Sequence, residues 1–375
     1  MMRRRTLIRA GATALAAPLA ATALATWSAG PARAAQLPVR GVDLSSVPKG
    51  EDHGAVFRYP DGTVGDPVRI LRDGGANWVR LKVWVDSPDG YHGKPQILTM
   101  ARRAADLGMQ TLIDFHYSDT WADPGRQDKP AAWAGLGGAA LEQAAVATHT
   151  ADILGALAAQ GTPAGMAQIG NEINGGLLWP DGSTDDWDAL AGLLTSGSRA
   201  ATAASPGTRI VLHLAEGGDL EGTRWWFDNA VARGVPFDVI GLSFYGYWHG
   251  TLEQLQANAD AAATRYGKDI LVAETGYPFR LGSKDGTPDL IGSSGQLVAG
   301  YPATPEGQLA WLRDITAVVS RVPGGRGLGV CYWEPAWTAT PGNGWDPADP
   351  NSGNAWENQA LFDYGDRALP AVTWA

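Results

Sequence analysis

Short apolar segments alternate with longer helix-like stretches along the chain from residue 39 onward. Each short segment has the length and the β-branched content of a buried strand, whereas each longer stretch has the length and composition of a helix. The pattern predicts eight strands, at 40–44, 77–84, 110–116, 167–172, 209–214, 239–245, 270–274 and 328–333. The predicted helices between them are 94–107, 139–159, 187–204, 225–232, 252–266 and 305–320.

This alternation is typical of a parallel sheet that is covered by helices. Glu172 and Glu274 end two of the strands and lie three strand-to-strand units apart, a spacing that fits a closed barrel enlarged by loop insertions. No glycine-rich dinucleotide motif or phosphate-binding loop follows an early strand, so a nucleotide-binding sheet has little support. We therefore predict the α/β class and a single (β/α)₈ TIM barrel with long βα loops over residues 35–375.

The first 34 residues have a different composition. A basic start, Arg3–Arg9, precedes an Ala- and Leu-rich stretch over 10–25 and a small-x-small site at Ala32–Ala34. These features predict a cleaved secretory signal peptide over 1–34, of the twin-arginine type, and hence a secreted, extracellular protein. The alternative is an apolar helix packed on the domain. No later stretch is long and apolar enough to span a bilayer.

Net charge limits the kinds of binding partner to be expected, and the cysteine content shows whether a disulfide can form within the chain. The predicted signal holds five arginines, so the remaining chain carries 24 Lys and Arg against 39 Asp and Glu, a formal net charge of −15. Such an acidic protein is not attracted to nucleic acid or to an anionic membrane, and we expect neither as a partner. The single cysteine, Cys331, lies in the eighth predicted strand, where we expect an inert buried thiol.

Polar and aromatic residues collect at the C-terminal ends of the predicted strands, where (β/α)₈ enzymes hold their chemistry. Glu172 and Glu274 both lie there, each shortly before a glycine. Two such carboxyl groups suit glycoside hydrolysis with retention, in which one acts as acid and then base and the other as nucleophile. The alternative is that each glutamate is only paired in an ion network. The other strand-end residues are Asp43, Arg80, Asp114, His116, Asn171, His213, Tyr245 and Trp333.

Several of these residues suit supporting roles. Arg80 can keep the nucleophile ionised, and Asn171 can hold a sugar hydroxyl near the reacting carbon. The six histidines contain no H-x-H or H-x-x-x-H pair, so we expect no histidine metal site. His116 and His213 are instead expected to hydrogen-bond the carboxylates or the substrate.

Tryptophans are numerous, and 15 of them lie beyond residue 34. The C–H faces of sugar rings stack on aromatic planes, so we expect the loop tryptophans as a set to contact sugar. For any single one of them, core filling is the alternative. The set consists of Trp84, Trp121, Trp133, Trp179, Trp248, Trp333, Trp337, Trp345 and Trp356.

Longer motifs surround these positions. They are GVDLSS at 41–46, VRLKVWV at 79–85, DFHYSDTWADP at 114–124, QIGNE at 168–172, SFY at 243–245, WHGTL at 248–252, ETGYP at 274–278 and YWEPAW at 332–337. In these motifs, and over nearly all of the chain beyond the predicted signal, the sequence resembles the arabinogalactan endo-β-1,4-galactanases of glycoside hydrolase family 53. The Asn-Glu pair is common to a large clan of retaining barrel enzymes, whereas the third-strand loop and the WHGTL segment are more specific.

The resemblance implies Glu172 as acid/base and Glu274 as nucleophile, with Asn171 on the substrate 2-hydroxyl, Arg80 supporting the nucleophile and Trp333 as a sugar platform. The implied substrate is the neutral β-1,4-galactan side chain of pectin, with no required cofactor, and we expect a monomer. The full set of candidate substrate-binding residues is Asn171, Arg80, Asp114, His116, His213, Tyr245, Trp248, Trp333 and Trp337.

The sequence departs from the family pattern at some positions. Gly246 replaces an expected proline, and Gly276 replaces an expected alanine or serine. Some bacterial members bind calcium in the seventh loop through Asp, His and Asn, but the stretch 281–289 has only Asp285 and Asp289 and lacks the histidine. This absence argues against a structural calcium ion. Two alternatives stay open: a mannanase or glucanase of the same clan, and a carbohydrate-binding barrel without catalysis.

Overall fold

Eight parallel strands close into a barrel in the computed structural model, which describes residues 36–374; the predicted signal peptide lies outside the described residues. The barrel strands are β1 (Val39–Asp43), β2 (Trp78–Val83), β3 (Gln110–Phe115), β4 (Met166–Ile169), β7 (Arg209–Leu214), β8 (Val239–Ser243), β9 (Asp269–Thr275) and β10 (Gly327–Tyr332). A short antiparallel hairpin, β5 (Gly176–Leu177) and β6 (Gly182–Ser183), follows β4. The strand order around the barrel is β1-β10-β9-β8-β7-β4-β3-β2, which confirms the predicted fold class.

Eight α-helices accompany the strands within residues 36–374. They are α1 (Val47–Asp52), α2 (Pro67–Asp73), α3 (Lys94–Ala105), α4 (Ala139–Ala159), α5 (Trp187–Ala204), α6 (Leu220–Ala232), α7 (Leu252–Tyr266) and α8 (Pro305–Ser320). The six predicted helices are confirmed, whereas α1 and α2 were missed because each is only about two turns long. None of these helices is both long enough and apolar enough to cross a membrane.

Local sequence explains where the helices begin. The hydroxyl of Thr251 accepts a hydrogen bond from the Gln254 amide, and the Gln254 side chain accepts one from the Thr251 amide, so that α7 starts with a capping box. The side chain of Asp219 caps α6 in a similar way. This cap explains why α6 begins five residues before the predicted start at 225.

Inside the barrel, inward-facing side chains change from apolar to polar along the strand direction. The apolar layer consists of Val39, Leu112, Met166, Val211, Val239, Leu271, Ala273 and Cys331. Because side chains alternate across a strand, the residue two positions further on faces inward as well. After Leu112 on β3 this residue is Asp114, and after Val211 on β7 it is His213. The strands that fill the barrel therefore also deliver polar groups to its C-terminal end.

Cys331 belongs to this apolar layer. It is a free, buried thiol, and burial raises its pKa to about 12. A thiol with such a pKa is protonated at neutral pH and is a poor nucleophile, as the sequence analysis expects.

The barrel closes where β1 pairs with β10, with Val39 opposite Gly329. A Cβ atom at Gly329 would lie 2.1 Å from the carbonyl oxygen of Val39, so the two strands can approach only if this position is glycine. Gly155, inside α4, differs in that a Cβ atom there would meet nothing within 4 Å.

We expect the two glycines to respond to alanine with opposite signs. Gly329→Ala should lower the free energy of unfolding by roughly 1–3 kcal/mol because the methyl group forces the closing strands apart. Gly155→Ala should raise it by about 0.5–1 kcal/mol because alanine is the better helix former. Thermal melts of the two variants beside the parent chain check both signs, and equal shifts would contradict this account of barrel closure.

Candidate active site

Glu172 reaches the barrel mouth through an irregular backbone. β4 ends at Ile169, and Glu172 itself has φ 47°, in the left-handed region that non-glycine residues rarely adopt. Neighbouring side chains hold this conformation. The amide of Gln127 donates to the carbonyl of Asn171 at 2.9 Å, and the Glu172 amide donates to Nδ1 of His213 at 3.4 Å. Such strain persists only where surrounding contacts impose it, and it is frequent at functional sites.

Glu274 reaches the same cleft through a β-bulge in β9. On the β8 side, Leu242 pairs with Val272 but Ser243 pairs with Glu274, so β9 holds one extra residue. The register with β10 shifts in the same place. Regular alternation after the inward-facing Ala273 would turn Glu274 outward, whereas the extra residue turns it inward. Both glutamates therefore depend on local departures from regular structure.

A buried arginine connects these segments. The guanidinium of Arg80, on β2, is 1% exposed and lies 2.8 Å from Oε1 of Glu274. It also contacts Asp43 at 2.7 Å and Asp114 at 2.9 Å. One of its N–H groups lies 2.9 Å from Oδ1 of Asn171. A single cation thus joins carboxylates from three strands to the amide that precedes Glu172.

The two glutamates have different electrostatic surroundings. Burial raises the pKa of Glu274, but the Arg80 charge opposes this increase, and the hydroxyl of Tyr245 donates to Oε2 of Glu274 at 3.0 Å. Burial, followed by the negative charge of Glu274, raises the pKa of Glu172 to about 8. At neutral pH the proton of this pair therefore resides on Glu172, while Glu274 is held as a carboxylate.

Polar residues beneath the two glutamates form a hydrogen-bond network that holds Asn171 and Asp114 in place. Nε2 of His213 lies 2.9 Å from Oγ of Ser243, and its Nδ1 lies 2.9 Å from Oδ1 of Asn171. His116 contacts Asp114 at 3.0 Å and accepts a hydrogen bond from the Trp84 indole at 3.3 Å. Burial lowers the pKa of His213 well below its ordinary value, so that this residue acts as a neutral hydrogen-bonding group.

A cavity of about 310 Å³ opens over the two glutamates. It is lined by His116, Trp121, Ala122, Asp123, Pro124, Asn171, Glu172, Ala215, Glu216, Tyr245, Trp248, His249, Glu274, Leu290, Trp333 and Trp356. Most of the candidate site residues are in this lining. Arg80, Asp114 and His213 lie beneath it instead and contact residues of the lining, among them Asn171, His116 and Glu274.

An aromatic groove of about 400 Å³ continues from this cavity. Its lining is Trp121, Asp123, Arg126, Leu290, Trp333, Trp337, Trp345, Ala355 and Trp356. Trp121, Trp333, Trp337 and Trp356 form a connected set of rings, and Tyr245 links Trp356 to Trp248 in the cavity. A site for sugar rings requires such an aromatic surface. Three members of the predicted tryptophan set do not belong to it. Trp84 packs against His92 and His116, Trp133 packs in the core against Tyr117, and the Trp179 indole donates to the carbonyl of Gly175 at 2.9 Å. For Trp84 and Trp133, the core-filling alternative holds.

Sequence reasoning missed several supporting residues. Gln168 donates to Asp114 at 2.5 Å, and Ser243 contacts His213 at 2.9 Å, although both lie in motifs that were noticed. Their inward direction follows from the alternation along β4 and β8, which was a usable signal. Gln127 has no such signal, because its loop is brought to Asn171 only by the tertiary fold. Gly276 leaves room for Trp356, whose ring a Cβ atom would meet at 2.5 Å.

The seventh loop is the place where some members of the family bind calcium, which the sequence analysis did not expect in this chain. Asp285 accepts a hydrogen bond from the Asn354 amide at 2.7 Å, and Glu357 accepts one from the Asp285 amide at 3.3 Å. Burial, followed by the charge of Glu357, raises the pKa of Asp289 to about 6. Within residues 36–374, no group of three or more His, Cys, Asp or Glu side chains is arranged to hold a metal ion.

Chemically, the cavity presents a protonated carboxyl group next to a carboxylate that is bonded to a cation. This is the pair that a retaining glycosidase requires, since one group must donate a proton while the other attacks. Glu172 and Glu274 both line this cavity, and the charge of Glu274 helps to raise the pKa of Glu172.

Comparisons with known proteins agree with this geometry. The family model described as glycosyl hydrolase family 53 matches residues 39–374. A solved GH53 catalytic domain from Ignisphaera aggregans is 40% identical, with a TM-score of 0.86 over 90% of this chain and 95% of that chain. An endo-beta-1,4-galactanase of Bacillus subtilis is 34% identical over 89% of this chain and 84% of its own length. An arabinogalactan endo-beta-1,4-galactanase of Thermothelomyces thermophilus is 35% identical over 90% and 98%.

These matches confirm the resemblance inferred from the motifs. They extend over the whole barrel, including the segments that carry Glu172 and Glu274. The chain belongs to glycosyl hydrolase family 53.

Proposed function

We propose that this protein is a retaining endo-β-1,4-galactanase that hydrolyses β-1,4-galactosidic bonds in pectic galactan and arabinogalactan. One observation carries the proposal: Glu172 and Glu274 meet in a tryptophan-lined cavity, and Glu274 is bonded to Arg80. Relatives named as endo-β-1,4-galactanases, at 34–35% identity over most of both chains, support the substrate.

In the first step, the Glu274 carboxylate attacks the anomeric carbon while Glu172 donates its proton to the glycosidic oxygen. The glycosidic bond breaks, the leaving chain departs with that proton, and a covalent glycosyl-enzyme remains. In the second step, Glu172 accepts a proton from water, and the water oxygen displaces Glu274. The product therefore retains the β configuration.

The charges of the site suit this exchange of roles. While Glu274 is ionised, its charge helps to raise the pKa of Glu172 and keeps that residue protonated. Formation of the covalent bond removes the charge, so the pKa of Glu172 falls and its carboxylate becomes available as a base. Asn171, held by Arg80, lies in the cavity lining and is suited to bind the 2-hydroxyl of the reacting sugar.

The remaining features suit a neutral polysaccharide. The mechanism needs only two carboxyl groups and water, so we propose that no cofactor or metal takes part in the reaction. The cavity continues into an open groove, in which a chain can be bound at an internal position. Trp248 and Trp345, which are 52% and 48% exposed, offer aromatic faces to further sugar units.

The first experiment is reducing-sugar release, with product sizing, from galactan, mannan and β-glucan. We expect internal cleavage of galactan alone. Glu274→Ala should lose about 10³-fold or more in activity because it lacks the covalent nucleophile. If mannan or glucan is cleaved instead, the assignment of the two glutamates stands but the proposed substrate is wrong. If galactan is bound without cleavage, the result supports a non-catalytic barrel.

Azide separates the roles of the two glutamates when the substrate is an aryl galactoside, whose leaving group departs without acid and whose azide product is analysed directly. With Glu274→Ala, azide can attack the sugar directly, so the product should be a galactosyl azide of inverted configuration. With Glu172→Ala, azide replaces water in the second step and the configuration should be retained. If the two configurations are exchanged, the assigned roles are wrong.

The pH profile provides an independent test. The general acid must be protonated, so kcat/KM should fall as the pH rises through about 8, the pKa of Glu172. The comparison uses an aryl galactoside on which the parent shows this alkaline limb and which Glu172→Gln can still cleave; on it, Glu172→Gln should show no limb. Glu216→Gln serves as the matched control, because it removes another carboxylate of the cavity lining and should keep the limb. A limb that survives Glu172→Gln would exclude Glu172 as the acid.

We further propose that the protein acts outside the cell as a monomer. The signal-like sequence over residues 1–34 supports export, and a polymeric substrate requires an enzyme outside the cell. Protein recovered from the medium of an expressing host should begin at Ala35 and show a monomer mass by light scattering. An N-terminus that retains residues 1–34 would contradict the proposed export, and a stable dimer would contradict the proposed monomer.

A further inference from the structure

A second buried ion pair lies near Arg80 and its carboxylate partners and takes no part in the chemistry described above. Nζ of Lys82, on β2, lies 2.8 Å from Oε1 of Glu334, which follows β10, and the two side chains are 1% and 0% exposed. Burial of two charges carries a large desolvation cost, and apolar residues of similar size are often as stabilising. The fold therefore does not explain why charged residues occupy these positions.

Lys82 contacts the aromatic surface of the cleft. Its ammonium group lies 4.1 Å from the centroid of the Trp121 ring, which is within the range of a cation–π interaction. The Trp121 indole N–H donates to the carbonyl of Trp345 at 2.6 Å, and its ring stacks on Trp337 at 5.8 Å. Lys82 thus supplies the contact that fixes one face of Trp121.

The conformation of Glu334 determines the direction of the backbone next to a second tryptophan, Trp333. It directly follows Trp333 and has φ 46°, a left-handed conformation that must be imposed by its contacts. Those contacts are the ion pair with Lys82 and two hydrogen bonds from Ser46 to Oε2, at 2.5 Å from the hydroxyl and 3.2 Å from the amide. Because Glu334 is held on both carboxylate oxygens, the direction in which the chain leaves β10 is fixed together with Trp333.

We propose that Lys82 and Glu334 are positioning residues that orient Trp121 and Trp333 for binding of the polysaccharide chain. Both tryptophans line the cavity over the glutamates as well as the aromatic groove, and their rings lie 5.9 Å apart. The inference rests on the proposed function, since it assigns the pair to the binding of the same substrate. Neither side chain forms an ion pair with Arg80 or with its partners Asp43, Asp114 and Glu274. The pair therefore acts on the binding of the polysaccharide rather than on the chemical step.

The test compares Lys82→Met and the double variant Lys82→Met/Glu334→Gln with Lys49→Met. The double variant leaves no unpaired buried charge, so it should fold even if the single variant does not. Lys49 is a matched control because it forms another largely buried ion pair, with Asp89 at 2.7 Å, away from both cavities.

We expect the KM for galactan to rise roughly five- to tenfold in the Lys82 variants, with kcat within about twofold of the parent. Lys49→Met should leave both constants unchanged. Lys82→Arg, which keeps a cation beside Trp121, should recover most of the loss. Unchanged KM in the double variant, or a fall in kcat at constant KM, would overturn the proposal.

Retardation of each variant in native gels that contain galactan separates this inference from the proposed function. If the parent chain binds galactan but does not cleave it, the enzymatic assignment fails, and weaker retardation of the Lys82 variants still supports the positioning role. If the parent chain cleaves galactan and all variants are retarded equally, only the positioning role fails. If the parent neither binds nor cleaves galactan, both are wrong.

Discussion

The guanidinium group of Arg80 is the interaction on which the rest of the site depends. It is buried and lies within 3 Å of carboxylates from three different strands, Asp43, Asp114 and Glu274. Removal of one partner from a buried ion pair typically costs about 3–5 kcal/mol, because the other charge is left without compensation. The same contacts that neutralise Arg80 therefore align the strand ends and hold the Glu274 carboxylate in the cavity.

This network also makes the two glutamates unequal. Glu274 is bonded to the cation, while Glu172 is influenced mainly by burial and by the negative charge of its neighbour. Two identical side chains thus acquire opposite protonation states at neutral pH, as acid/base catalysis on a glycosidic bond requires. The other buried ion pair is separate from this network: Lys82 and Glu334 neutralise each other, and Lys82 lies next to the Trp121 ring.

Irregular backbone appears at the strand ends around the cavity. Glu172 and Glu334 have left-handed φ angles, and a bulge in β9 turns Glu274 inward. Each of the two left-handed φ angles costs about 1–3 kcal/mol on its own and is retained through hydrogen bonds or ion pairs to other segments. The regular barrel supplies the rigid support, and the energy of its packing compensates for strain at the strand ends.

The sequence by itself determined the barrel, its strands and most of its helices, because alternation of apolar strands and helices is a local property. It also predicted that both glutamates, Asn171 and Arg80 lie near one another at the strand ends, since their motifs end the predicted strands, and the structure brings them together there. Only the tertiary structure decided that Trp84 and Trp133 belong to the core while Trp121 and Trp356 line the cleft. It alone revealed the β9 bulge, the support from Gln127 and the Lys82–Glu334 pair. The physical reason is that loop packing, strand register and buried ion pairs join segments far apart in the chain, and no local pattern of residues encodes such contacts.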